Sequence, residues 1–213
     1  PRLRARGYYV DIGERIWLSQ PQRPVYPDLT VARQPPPRLP RGTVAVAEPD
    51  EPVRLNTEQK SAIKAQVREA LEAGAFGMST GLIYPPNVYS STEEIIEMAR
   101  VASRYGGIYT SHIRGEAKTV LEAVDEAIRV GREAELPVEI SHLKAELRVN
   151  WYKMDLILNK IRAARQSGQD VSADMYPYNA FCTTMTSMLP DWALVGGVDE
   201  MVKRLSDSST RAR

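Results

Sequence analysis

Four short apolar runs close at Ser79, His112, His142 and Tyr176, which lie 33, 30 and 34 residues apart, with a helical pattern in each interval. A buried strand followed by a covering helix needs about 30 residues, so this period predicts repeated βα units in a parallel sheet. Two architectures satisfy it, a (β/α) barrel and an open doubly wound sheet. In both, functional side chains gather at the carboxyl ends of the strands. Only about four units are legible, whereas a closed barrel uses about eight. The expected fold class is therefore α/β, a partial TIM-like (β/α) barrel.

The elements can be placed from local signals. Asn56 with Gln59 three residues on predicts a capped helix start, and that helix runs to about Ala73, closed by Gly74. Phe76–Leu82 reads as a strand. Ser91 with Glu94 opens a second helix that ends at Gly106-Gly107, and Ile108–His112 is the next strand. A helix follows from about Lys118 to Glu135, with Val120, Leu121, Val124, Ala127 and Ile128 on one stripe. Pro137–His142 is a strand, Trp151–Ser167 a helix and Asp170–Tyr176 a strand; a further helix begins near Val198.

Residues 1–55 have a different texture. They hold ten of the fifteen prolines, and all their basic side chains are arginine. Short runs at Gly7–Ile12 and Thr43–Ala47 could form strands, but proline stops longer ones. The chain thus divides into an irregular Pro/Arg-rich segment, 1–55, and a partial barrel, 56–213. The first segment is either an edge elaboration or an unnatural lead-in to the barrel segment.

Bulk composition removes several function classes. With 28 basic against 27 acidic side chains, there is no electrostatic case for a nucleic-acid or acidic-membrane partner. No apolar run approaches the roughly 20 residues that span a bilayer. The lone Cys182 can form no internal disulfide, which predicts a cytoplasmic protein.

The two histidines occupy matching frames, Ser111-His112-Ile113-Arg114 and Ser141-His142-Leu143-Lys144. A single histidine at a strand end is usually a hydrogen-bonded structural residue. Two in the same frame, one βα unit apart, point to metal ligation, and neutral imidazole is a good zinc ligand. A site needs three or four ligands, so two are insufficient alone. Tyr84, Lys144, Tyr176 and Tyr178 line up at the same edge and could hold a carboxylate or orient an amide carbonyl. Each also has a plain reading, a loop-shaping Tyr-Pro pair or a solvated lysine. Arg114 either binds a substrate anion or braces the site, with bracing preferred. Asp174 is either a buried hydrogen-bond acceptor or a site residue. Cys182 reads as a small loop residue.

Together, Gly74-Ala75-Phe76-Gly77-Met78-Ser79-Thr80-Gly81-Leu82-Ile83-Tyr84-Pro85-Pro86, the two histidine frames, and Asp174-Met175-Tyr176-Pro177-Tyr178 resemble the D-aminoacylase (N-acyl-D-amino-acid deacylase) family of metal-dependent amidohydrolases. The resemblance covers about residues 56–213. It implies a zinc-bearing barrel that hydrolyses the amide of small N-acyl-D-amino acids. His112 and His142 match the family's metal-binding histidines at barrel strands five and six. Tyr84 and Lys144 match positions that help hold substrate, and Tyr176 lies in the strand-seven motif.

The departures from the family pattern matter equally. The early His-x-His pair and the metal-binding cysteine of an early strand are absent, and Cys182 lies too late to be that cysteine. The catalytic aspartate of the last strand would fall beyond Arg213, so no catalytic residue is expected in this chain. The expectation is an interior fragment of a deacylase, inactive alone and prone to self-association through open sheet edges. A dihydropyrimidinase-like cyclic-amide hydrolase and a non-catalytic βα binding module are the alternatives.

Overall fold

The computed structural model describes residues 10–12, 16–18, 55–84, 87–183 and 185–212. Its sheet has six strands in sequence order: β1 (Val10–Ile12), β2 (Ile16–Leu18), β3 (Gly77–Gly81), β4 (Ile108–His112), β5 (Val138–Ile140) and β6 (Val171–Ala173). Strands β3 to β6 are parallel, each joined to the next through a helix. These are the four expected βα units of an α/β partial barrel.

The amino-terminal segment is not wholly irregular. β1 and β2 form an antiparallel hairpin, and β2 pairs antiparallel with β3 at Trp17 and Ser79. The expected strand at Gly7–Ile12 therefore shortens to Val10–Ile12, and β2 is additional. The other expected strand, Thr43–Ala47, lies outside the described residues. The hairpin also changes the edge count: β3 is not left bare, and the outer strands are β1 and β6.

Helices α1 (Thr57–Glu72), α2 (Thr92–Ser103), α3 (Val120–Ala134) and α4 (Lys153–Gln166) supply the apolar cover. Both predicted capping boxes form. Asn56 and Gln59 exchange bonds of 2.8 and 3.0 Å at the start of α1. Ser91 and Glu94 do the same for α2, and Glu94 also accepts the buried amide of Leu55 at 2.8 Å. One carboxylate therefore fixes the helix start and the chain entry to α1. The core joins Ile63 and Val67 of α1, Ile95 and Met98 of α2, Val124 and Ile128 of α3 and Ile157 of α4 to Met78, Tyr109, Val138, Ile140 and Val171 of the sheet.

Strand β4 shows how the sheet is sided. Tyr109 and Ser111 are buried, while Ile108, Thr110 and His112 point to the more open face. Tyr109 is fully enclosed, and its hydroxyl bonds Thr80 Oγ1 at 2.7 Å and donates to Ser111 Oγ at 3.2 Å. A buried phenol needs such partners, and burial pushes its pKa up to about 12.

Two strands end earlier than the sequence predicts. β5 stops at Ile140, because His142 adopts a left-handed conformation (φ 41°) that turns the chain out of the sheet. β6 stops at Ala173, so Asp174 and Tyr176 lie on the loop beyond it. The helix expected near Val198 is α6 (Gly197–Ser206), preceded by the short α5 (Asp191–Leu194). It does not run to the end. Asp207 interrupts it and caps α7 (Ser208–Arg211) by accepting the Thr210 amide at 2.7 Å. Among the described residues no helix is long and apolar enough to cross a membrane.

Candidate metal centre at the carboxyl ends of the strands

Register brings the candidate residues to one edge. Gly81 pairs with His112 and Ser111 with Ile140, so β3, β4 and β5 finish level with one another. His112 ends β4, and His142 follows β5 by two residues. His112 Nδ1 faces His142 Nε2 in direct contact; the ring centroids are 4.5 Å apart and the planes tilt by 42°. Burial, reinforced by the charge of His142, holds the His112 imidazole below its ordinary pKa and hence neutral near pH 7.

Asp174 clamps this turn. Its Oδ1 accepts the His142 amide at 2.5 Å, its carbonyl accepts the Leu143 amide at 2.9 Å, and its own amide bonds the Ile140 carbonyl at 3.1 Å. Contrary to a buried-acceptor reading, Asp174 is exposed. Its acceptor role is nevertheless explicit.

Glu116, which the sequence reading missed, sits on the β4–α3 loop and is only 9% exposed. Oε1 lies 2.8 Å from His142 Nδ1, and Oε2 lies 2.6 Å from Lys144 Nζ. Burial alone pushes its carboxyl up, but the hydrogen bonds from His142 and Lys144 outweigh it and hold the group below the ordinary carboxylate range. A carboxylate four residues past a candidate ligand is the available sequence signal, since metal-binding histidines usually give their second N–H to a carboxylate or carbonyl.

Lys144 is not a solvated lysine. Besides Glu116 it lies 3.3 Å from the His142 carbonyl, and its ammonium is 5.5 and 5.4 Å from the ring centres of Tyr176 and Phe181. The Tyr176 hydroxyl is buried and makes no hydrogen bond. Tyr84 lies three residues past β3, and its hydroxyl bonds Thr183 Oγ1 at 2.7 Å. That contact ties the β3 loop to the loop after β6. Arg114 spends its guanidinium on Glu126 and on the carbonyls of Val88 and Ser90. Cys182 is exposed and free.

The donor set fits a zinc ion as far as it reaches. Two ring nitrogens converge from adjacent strands, one on an imidazole held neutral. Among the described residues no group of three or more His, Cys, Asp or Glu side chains could hold a metal. The site as described is thus two ligands with a supporting carboxylate.

Comparison with known proteins agrees with this geometry. No family model matches the chain. It is 41% identical over 141 residues to the D-aminoacylase of Alcaligenes xylosoxydans xylosoxydans, a match covering 66% of this chain and 29% of that protein. It is 39% identical over 136 residues to the N-acyl-D-glutamate deacylase of the same organism, covering 64% and 28%. Among solved structures, a crystal structure of D-aminoacylase superposes with a TM-score of 0.56 at 42% identity, over 58% of this chain and 26% of that one. The N-acyl-D-glutamate deacylase of Bordetella bronchiseptica, complexed with zinc and a phosphonate mimic of the tetrahedral intermediate, gives a TM-score of 0.58 at 37% identity over 60% and 27%. The chain spans less than a third of the length of the curated relatives it matches.

The sheet and its relatives define the class as a portion of an amidohydrolase-type (β/α) barrel. Within that class, the chain is related to the D-aminoacylases and N-acyl-D-amino-acid deacylases.

Proposed function

We propose that this chain carries one side of the active site of a zinc-dependent N-acyl-D-amino-acid deacylase. The observation that supports this most is the facing pair His112 Nδ1 and His142 Nε2 at the ends of adjacent parallel strands, in a segment about 40% identical to such enzymes. In this reading His112 and His142 are two of the metal ligands. Bound zinc would supply a water of lowered pKa and polarise the scissile carbonyl.

The chain's own residues then bind and orient the substrate. Lys144 has three N–H donors, of which Glu116 and the His142 carbonyl take two, leaving one for a substrate carboxylate or carbonyl. The Tyr176 hydroxyl, buried without a partner, would gain one in the same substrate, which offsets a desolvation cost of about 1–3 kcal/mol. Tyr84 lines the opposite side through its bond to Thr183. Arg114 acts as a brace, because its donors are committed to Glu126 and two carbonyls. The exposed Cys182 accords with a cytoplasmic setting.

With two ligands described, the isolated chain is expected to bind zinc weakly and to show no deacylase turnover. Parent-like turnover of an N-acyl-D-amino acid by the purified 213-residue chain would contradict that. The chain is also expected to self-associate through the β6 edge, and Ala173→Lys should suppress this. A monomer at every concentration in sedimentation would contradict it.

The activity itself is testable in a chimera in which residues 56–213 replace the matched portion of the Alcaligenes D-aminoacylase. Hydrolysis of N-acyl-D-amino acids, lost on His112→Ala, is the expected result. A folded, zinc-loaded chimera that cleaves only cyclic amides would favour a dihydropyrimidinase-like enzyme instead.

A further inference from the structure

Glu116 stands apart from the ligands and the substrate groups, yet it touches one of each. A carboxylate only accepts hydrogen bonds. At 2.8 Å from Oε1, His142 Nδ1 must carry the ring proton, because two facing lone pairs at that distance would repel. The neutral ring then has its lone pair on Nε2, the nitrogen that faces His112. With the proton on Nε2, the lone pair would point at the carboxylate and away from the metal position.

The second oxygen of the same group holds Lys144 Nζ at 2.6 Å. One carboxylate therefore sets both the imidazole tautomer and the place of the cation two residues later.

The loop that carries Glu116 is itself held from the next βα unit. The Glu146 amide donates to the Glu116 carbonyl at 2.6 Å. Lys153, only 7% exposed at the start of α4, donates to the carbonyls of Lys118 at 2.6 Å and Ala117 at 3.3 Å. Three successive carbonyls are thus engaged, so the carboxylate cannot swing away without breaking several bonds. A buried lysine devoted to loop carbonyls is costly unless the position it fixes matters.

We propose that Glu116 is the positioning residue of this site: it fixes His142 in the Nδ1–H tautomer and locks Lys144 beside it, so that metal-facing nitrogen and substrate-facing cation move as one unit. This rests on the zinc reading of His112 and His142, but its test does not need the metal.

The chain has only two histidines, hence four ring nitrogens. In metal-free chain labelled with ¹⁵N-histidine, at a pH where the rings are neutral, two-bond ¹H–¹⁵N correlation reports each tautomer. His112→Asn assigns the signals. His142 should be in the Nδ1–H form in the wild type and in Glu116→Gln, whose amide oxygen can still accept. Glu116→Ala should shift it toward the Nε2–H form. An Nε2–H tautomer in the wild type overturns the proposal without any variant, and so does an unchanged pattern in folded Glu116→Ala.

Competition titration with Zn²⁺ gives the second reading. Glu116→Ala should weaken zinc binding about 10- to 100-fold, and Glu116→Gln less. The predicted tautomers with no zinc binding at all would uphold the positioning role and reject the metal reading.

Discussion

Arg114 and Glu126 meet through two parallel hydrogen bonds, Nε to Oε2 and Nη2 to Oε1, each 2.9 Å. This fork fixes the loop after β4 to α3. The remaining N–H groups reach the carbonyls of Val88 at 2.6 Å and Ser90 at 2.8 Å, and Thr92 donates to Glu126 at 2.7 Å. The loop after β3, which carries Tyr84, is thereby fastened to the strand end that carries His112. Lysine cannot reproduce a planar fork. Arg114→Lys is expected to cost about 1–2 kcal/mol in urea unfolding, and Glu126→Ala at least as much, since it leaves a half-buried guanidinium unpaired. An unchanged unfolding midpoint for both variants would show that the fork is incidental.

Glu97 of α2 joins that helix to α1 through Lys60 at 2.8 Å and Lys64 at 2.6 Å. The hydrogen bonds from Lys60 and then Lys64 hold its carboxyl below the ordinary value of 4.5. The folded protein thus takes up this proton less readily than the unfolded chain. The contribution is fully present above the unfolded value and is lost as pH falls through the depressed folded one. All three side chains are partly solvated, so the effect is small. The stability gap between wild type and Glu97→Gln should shrink as pH is lowered from 7 to below 4.5. A gap independent of pH would contradict the assignment.

Gly77 tests the packing of β3 on β4. A Cβ placed there would sit 2.1 Å from the Ile108 carbonyl oxygen and 2.7 Å from its nitrogen. The obstacle is backbone of the neighbouring strand, which cannot rotate aside. Gly77→Ala is therefore expected to destabilise by about 1–3 kcal/mol or more, read by chemical denaturation. A change within about 0.5 kcal/mol, as at a neutral surface position, would mean that the two strands are less closely apposed.

How much the sequence reveals depends on the range of each interaction. The capping boxes at Asn56 and Ser91 and the stripe of α3 are local, so spacing alone places them. The strand ends at His112 and His142 were legible because a parallel strand buried by helices leaves an apolar run. The early stop of β5 was not, because a left-handed histidine is decided by the Asp174 clamp, 32 residues away. Glu116 escaped notice for the same reason: His142 and Lys144 lie on another loop. The β1–β2 hairpin is only three residues per strand and sits among prolines and arginines, so its pairing with Ser79 leaves almost no pattern in the chain.

The central claim is that His112 and His142 together hold a metal ion. The direct measurement is competitive Zn²⁺ titration of the purified chain and of His112→Ala and His142→Ala, each checked for unchanged helical content. The account predicts weak one-to-one binding in the wild type that either substitution abolishes. Equal zinc binding by all three proteins would contradict it and leave the two histidines as structural residues of a βα module.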